Sequence, residues 1–376
     1  MKILQVSSAT AIGGGEVHVI DLCQTLVQRG HEMHLAVRPQ SPLVDRLASQ
    51  PVTVHPLALR NSLDVGSARR IGHLIRHHQI DIIHGHVARD YLVCVMARKL
   101  AGRGKLVLTR HHYLPIKGTW GYRHMFGQVG KFIAVSEYVR SGLIASLKLP
   151  PNHVVTIPNW VNLERFQDLP DCQYARGRFG VKERFVVGMV GQITPAKGQE
   201  EFVRAAAHVA SLRDDVLFLI AGEEQGRTRR FTEYLRRLAG ELRLGERLWL
   251  IGQVEELPLL FAALTVLVVP SWFEAFSITL IQAMAAGLPV IASNIGGPAE
   301  IVTHRATGWL VPPGEADALA EAIAYLLDDP DLRDRLSAAG REEVQARFER
   351  ERVIDQIEAV YQELLTQGRE FLVSHP

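Results

Sequence analysis

The feature that most constrains this chain is an end-to-end alternation of short strand-like and helix-like segments, interrupted once. Residues 2–7, 33–38, 80–84, 105–109, 131–135 and 154–157 are apolar, β-rich runs, and helical stretches such as 89–100 and 137–147 separate several of them. After Pro158 the rhythm breaks: residues 162–182 are polar, contain Pro170, Gly177 and Gly180, and read as a connection between domains. The alternation restarts at residues 185–190 and continues through 216–221, 247–251, 265–269, 289–292 and 308–311. Alternating strands and helices build parallel sheets with helices on both faces. Two such runs predict an α/β protein of two doubly wound, Rossmann-like parallel-sheet domains facing a cleft. In sheets of this kind ligands bind beyond the carboxyl ends of the strands. The expected boundaries are 1–165 for the first domain and 183–347 for the second. A charged helical segment over 348–376 is long enough to cross back onto the first domain.

Bulk properties agree with this reading and remove some classes of function. A length of 376 residues suits two domains, and 47% apolar with 22% charged residues is ordinary for chains with full cores. A formal charge of +2 argues against bulk nucleic-acid binding, which needs a strongly basic face. Cys23, Cys94 and Cys172 lie far apart without metal or redox spacing, as in a reduced, cytoplasmic protein. The opening run, with one Lys and a short apolar stretch, reads as a strand and not a signal peptide. Residues 257–281 are the most apolar region, with Glu274 the only charge. Pro270 and the β-branched run before it make this a short helix and a buried strand rather than a membrane span.

Three segments carry candidate chemistry. Gly13-Gly14-Gly15, between the first strand and the first helix, lets a ligand approach the backbone near a helix N-terminus. It lacks the spacing of a dinucleotide fingerprint and the Lys-Ser/Thr of a P-loop, so a tight strand-to-helix turn explains it equally well. The second segment, 190–198, follows the first strand of the second domain and places Lys197 just before a helix starting near Gly198; a cation beside free N–H groups suits a diphosphate. The third, 270–292, is the most informative. A buried strand ends at Pro270, Glu274 lies in the following loop, and a helix rich in small residues runs to Gly287. Its first N–H groups, near Ser277–Thr279, can face a phosphate, with Gln282 expected about two turns along. An ionised Glu274 can accept paired hydrogen bonds from sugar hydroxyls.

Taken together and in order, these motifs resemble the retaining family-4 type of glycosyltransferases with the glycosyltransferase-B fold. The stretches RGHEMHLAVR, IDIIHGH, LVLTRHH, FIAVSEYVR, IPNWVNLERF, VGQITPAKG, VPSWFEAFSITLIQAMAAGLPVIASNIGGPAEIV and TGWLVPPGEADALAEAI all stand in that family's order and cover nearly the whole chain. The resemblance implies transfer of a hexose-type sugar from a nucleoside-diphosphate sugar, UDP favoured over GDP, to a hydroxyl of a glycan, lipid-linked or small-molecule acceptor, with retention. It implies catalytic roles for Glu274, which would hold the donor sugar, for Lys197, which would neutralise the diphosphate, and for His111, which would contact the transferred sugar. Gly14 and Gly15 would lie near the diphosphate and acceptor, the backbone near Val254 would contact the base, and Ala275, Phe276, Ser277 and Ile278 would line the donor site. No metal or other cofactor is implied.

The departures from the family pattern are specific. Position 282 is Gln where Glu is usual, keeping a hydrogen bond to ribose but losing its charge. Position 192 is Gln where an Arg usually meets the diphosphate, leaving Lys197, a helix N-terminus and Arg110 to supply positive potential. Ala275 and Ser277 replace glycines, and Asn159-Trp160-Val161-Asn162 replaces Asn-Gly-Val-Asp. Gln192 and Gln282 are the features that would fit a degenerate binding protein of the same fold; a nucleotide-sugar epimerase is another reading.

Sixteen histidines include His84 and His86 on one strand face and His111 and His112 at the end of another strand. Without a carboxylate or cysteine at ligand spacing, cleft-lining or structural roles are expected rather than a metal. Residues 110–131 mix Arg110, Lys117, Arg123, His124 and Lys131 with Tyr113, Trp120, Tyr122 and Phe126. An amphipathic helix and loop is the first reading of that surface, and peripheral contact with the inner membrane face the second.

Overall fold

The computed structural model describes residues 1–11, 13–114, 116–226 and 228–373. It divides into two compact units, Met1–Asn159 with Glu351–Pro376, and Trp160–Arg350.

The first unit is built on β1 (Lys2–Ser7), α1 (Gly14–Gln28), β2 (Glu32–Val37), α2 (Pro42–Leu47), β3 (Val52–Pro56), α3 (Val65–His77), β4 (Ile82–Gly85), α4 (Tyr91–Ala101), β5 (Lys105–Arg110), α5 (Trp120–Phe126), β6 (Lys131–Ala134), α6 (Glu137–Leu147) and β7 (Val154–Thr156). Its strands form one sheet in the order β3-β2-β1-β4-β5-β6-β7, and every pairing is parallel. β3 was not expected from the sequence. It is an edge strand preceded by Pro51 and ending in Pro56, half exposed, and so carries no continuous apolar run.

The second unit contains α7 (Cys172–Phe179), β8 (Phe185–Val190), α8 (Gln199–Leu212), β9 (Val216–Ala221), α9 (Arg230–Glu241), β10 (Leu248–Gly252), α10 (Leu257–Ala263), β11 (Val266–Val269), α11 (Ile278–Ala285), β12 (Val290–Ser293), α12 (Gly296–Ile301), β13 (Trp309–Val311), α13 (Ala316–Asp328) and α14 (Pro330–Arg347). Its sheet runs β10-β9-β8-β11-β12-β13, again all parallel. The central strands are buried on both faces, and Val186, Val187, Leu217, Phe218, Leu267 and Val268 have no exposure. That is why they read as unbroken apolar runs. Residues 257–281 divide into α10, β11 and α11, and among the described residues no helix is long and apolar enough to cross a membrane.

The segment read as a connection is not featureless. Asp171 caps α7 by accepting from the Gln173 and Tyr174 N–H groups, and Ala175 is buried. Arg176 donates to the Ala263 carbonyl and the Thr265 hydroxyl, which ties α7 to the end of α10 and the residue just before β11.

The last helix, α15 (Arg350–Val373), belongs to the first unit from Glu351 onward. Arg29, at the C-terminal end of α1, meets Glu351, Asp355 and Glu358, each at 2.7 Å. The Tyr361 hydroxyl lies 2.6 Å from His84 Nδ1 beneath the sheet, and Lys131 pairs with Glu363 at 3.0 Å.

Both sheets have the same switch point. Strand order reverses between β1 and β4 in the first unit and between β8 and β11 in the second. The loops leaving those strands diverge there, and the crevice beyond their carboxyl ends is the site where this architecture binds ligands.

Candidate active site

In the second unit, β8 and β11 flank the switch point and deliver the two charged candidates. The chain leaves β8 through Gly191 and Gln192 and makes a single 3₁₀ turn, Pro195–Lys197. Gly198 then caps α8 with φ of +79°. A side chain at Gly198 would collide with the Pro270 carbonyl, so the glycine lets the lysine loop press against the end of β11. The Trp272 N–H donates to the Ala196 carbonyl at 2.9 Å and joins the two loops.

Lys197 and Glu274, seventy-seven positions apart, meet as an ion pair of 2.5 Å. Glu274 is mostly buried and its Oε2 also accepts from the Ser271 hydroxyl at 3.4 Å. From below, the Gly297 N–H donates to the Glu274 carbonyl at 3.1 Å. A Cβ on Gly297 would sit 2.5 Å from Phe276 Cα, so only glycine lets α12 support this loop. Ala275, Phe276 and Ser277 are buried, and Phe276 packs edge-on against Phe348.

Ser277 is the N-cap of α11, and its hydroxyl accepts from the Leu280 N–H. The helix begins at Ile278, four residues after Glu274. Gln282 therefore lies little more than one turn from the helix start, not the two turns expected from the sequence. The helix starts where the sequence placed it, and five residues from Ser277 to Gln282 make about 1.4 turns. Ile278 and Gln282 are both half-buried. Gln192 has an exposed side chain, while its carbonyl accepts from Gln199 Nε2 at 2.9 Å. Gln199 is fully buried and holds the β8 loop from within, a role that nothing in the sequence distinguished from that of a surface glutamine. Val254 lies half-buried between β10 and α10.

In the first unit the switch point gathers histidines. Gly13 caps α1, and Glu16 Oε2 accepts from the Gly13 N–H at 2.9 Å. Gly14 and Gly15 open the helix, and a Cβ on Gly15 would lie 3.9 Å from the His111 ring. His18 follows one turn later and presents its ring to His111 at 4.8 Å between centroids, and to His86 at 5.9 Å. His86 extends just past β4, bonded to the buried Gln5 at 2.7 Å. His111 lies at the carboxyl end of β5. Burial pushes its imidazole down to about 4, reinforced by the adjacent Arg110 and opposed by a hydrogen bond to Asn159. His18 and His86 are held well below the ordinary value, mainly by burial. Neutral rings are thus the resting state of the cluster. His18 was not among the residues expected; its only signal was its position four residues after Gly14, on the same helix face. Arg110 is buried and donates to the Leu114 carbonyl.

One ring nitrogen from each of His18, His86 and His111 lies within 4.8 Å of the others, and the same is true of His34, His55 and His78. Two histidine triples therefore exist where the sequence showed only pairs.

With this geometry in place, comparison with known proteins assigns the class. Residues 12–165 match the family described as Glycosyltransferase Family 4, and residues 175–343 match Glycosyl transferases group 1. The chain belongs to this glycosyltransferase family, and its two parallel-sheet units are those of the glycosyltransferase-B fold. Among its relatives, N-acetyl-alpha-D-glucosaminyl L-malate synthase of Bacillus anthracis is 23% identical, over 97% of this chain and 98% of that one. GDP-mannose-dependent alpha-(1-6)-phosphatidylinositol monomannoside mannosyltransferase of Mycobacterium tuberculosis is 29% identical, over 74% and 75% respectively. The crystal structure of Anabaena HepE in complex with UDP and glucose shares the fold, with a TM-score of 0.87 at 22% identity, covering 96% of this chain and all of that one.

Proposed function

We propose that this glycosyltransferase moves a hexose-type sugar from a nucleoside-diphosphate sugar, with UDP as the preferred carrier, to a hydroxyl of a glycan, lipid-linked or small-molecule acceptor, retaining the anomeric configuration. The observation that carries the reading is the Lys197–Glu274 pair at the β8/β11 switch point, beside the capped start of α11. The pair separates two tasks between two side chains. A diphosphate offers Lys197 a stronger partner and releases the Glu274 carboxylate to accept from sugar hydroxyls. Lys197 and the first N–H groups of α11 then stabilise the charge that develops on the departing diphosphate, the main electrostatic task in this transfer. The departing phosphate takes the acceptor proton on the same face of the sugar, so no protein nucleophile is needed. His111, neutral at the end of β5, contacts the transferred sugar. No metal is required by this chemistry.

The relatives differ in nucleotide: the mycobacterial enzyme is GDP-mannose-dependent, while the HepE complex holds UDP and glucose. A thermal-shift screen of purified protein against UDP-, GDP- and ADP-sugars separates the bases, because a ligand that binds only the folded state raises the melting temperature. UDP-sugars are expected to give the largest rise. NMR of the product anomer then tests retention, and an inverted anomer rejects it. The proposed setting is cytoplasmic, with contact at the inner membrane face through the surface around Trp120, which is 81% exposed.

Gln192 and Gln282 favour one rival, a binding protein that holds the donor without turnover. Donor binding with no transfer and no donor hydrolysis would establish that reading instead.

A further inference from the structure

Away from both switch points, the outer edge of the first sheet carries a second histidine cluster. His34 sits on β2, His55 on the neighbouring edge strand β3, and His78 directly after the C-terminal turn of α3. The rings of His34 and His55 stack at 5.3 Å between centroids, with His34 Nδ1 only 3.0 Å from His55 Nε2. The ring of His78 lies 4.6 Å from that of His34 and 5.2 Å from that of His55. One nitrogen from each of the three falls within 4.8 Å of the other two. On its other side, His34 Nε2 lies 3.1 Å from Glu32 Oε1, whose second oxygen meets Lys2 at 3.1 Å.

We propose that His34, His55 and His78 bind a divalent transition metal of the zinc class, with Glu32 orienting His34. Glu32 supplies what metal-binding histidines ordinarily have, a carboxylate that accepts the far ring N–H and thereby fixes the tautomer. With Nε2 carrying the proton, His34 Nδ1 turns its lone pair toward His55 and His78. Nitrogens around tetrahedral zinc lie about 3.3 Å apart for bonds of about 2.05 Å. The His34–His55 pair is already near that spacing, and the half-exposed His78 closes the remainder by a side-chain rotation of about 1.5 Å or less. Neutral imidazole is the form that ligates a metal. His55 is pushed down to about 4 by burial, then by His34 and His78, and His78 is lowered mainly by burial. An all-nitrogen donor set excludes magnesium and calcium and suits zinc, nickel or copper. Half-exposed His55 and His78 leave a fourth position open to water. Such an ion would pin the short edge strand β3 to β2 and to the end of α3.

The test is a titration of chelator-stripped protein with zinc alone, in competition with a chromophoric chelator. One zinc per chain is expected, with a higher melting temperature in zinc than in chelator. His55→Ala and His78→Ala should each weaken binding at least tenfold while leaving the melting temperature in chelator unchanged, since both side chains are half-exposed. Glu32→Gln should weaken it about tenfold. Cobalt substituted for zinc should give the absorption of a four-coordinate site, lost in the double variant His55→Ala/His78→Ala. If the double variant binds zinc as the original does, the ion sits elsewhere and the proposal fails. It fails equally if the unaltered protein binds no zinc.

Discussion

Acidifying the protein from about pH 7.5 to about pH 5 draws protons into the unfolded chain that the folded first unit cannot accept. His84 is fully buried, with Nδ1 on the Tyr361 hydroxyl and Nε2 on the Thr109 hydroxyl, each at 2.6 Å. Burial pushes it from 6.5 down to about 3, and His111 from 6.5 down to about 4. A group whose folded value is depressed stabilises fully above its unfolded value and loses that contribution as pH falls toward the folded one. The window therefore opens at 6.5 for both and closes near 3 for His84 and near 4 for His111. Each pH unit within it costs about 1.4 kcal/mol per group, so at pH 5 each histidine removes about 2 kcal/mol, and the pair about 4. His18 and His86, shifted the same way, add to the loss. Against a usual total of about 5–15 kcal/mol, this makes acid instability of the first unit a dominant property. The assay is urea unfolding across that pH range, comparing the original with His84→Gln, which retains two hydrogen-bonding ends without a titrating ring. The variant should recover about 2 kcal/mol of the acid loss and show a slope smaller by one proton. Identical slopes would refute the assignment of buried neutral His84.

Further outcomes follow from the second unit and the exposed surface. Glu274→Ala and Lys197→Ala should each lower kcat/KM about a hundredfold or more with little change in melting temperature; undiminished turnover in Glu274→Ala would remove the site assignment. Gln282→Glu should lower the donor KM several-fold, since a charged acceptor forms the stronger bond to a ribose hydroxyl, and an unchanged KM would place Gln282 outside the donor contact. Gly198→Ala forces a left-handed residue against the Pro270 carbonyl; the second unit should lose about 1–3 kcal/mol in chemical unfolding, with donor binding falling as the Lys197 loop is displaced. Trp120→Ala should reduce sedimentation with anionic vesicles while leaving transfer to a water-soluble acceptor unaffected; equal sedimentation would exclude this surface from membrane contact.

The parts of the fold that could be read in advance are those where burial is symmetrical. β8, β9 and β11 are covered on both faces and appear in the sequence as unbroken apolar runs, so the parallel class of both sheets was legible. β3 was not, because an exposed edge strand preceded by one proline and ending in another has no such run. α7 was hidden for a related reason: it buries only Ala175 and contains Gly177, so its helical character rests on an Asp171 cap and on Arg176 reaching the end of α10. At the site, the residue types at 197 and 274 were readable from their loops, but their pairing was not. It depends on β8 and β11 becoming neighbours, which no local pattern encodes. The histidine triples were missed for the same reason, since each draws on elements separated in the chain and joined by the sheet.

The return of α15 to the first unit has a consequence for the order in which the molecule is made. The ribosome delivers all of residues 160–350 before it delivers the residue that satisfies His84. Until Tyr361 emerges, the first sheet holds a buried imidazole with its Nδ1 unanswered and only Nε2 bonded, to Thr109, and Arg29 lacks its three carboxylates. The second unit, continuous in the chain, has everything it needs by then. The unit encoded in the middle is thus able to finish folding while the unit encoded first still waits for the last helix. A nascent chain halted before residue 361 should be protease-resistant only in its middle.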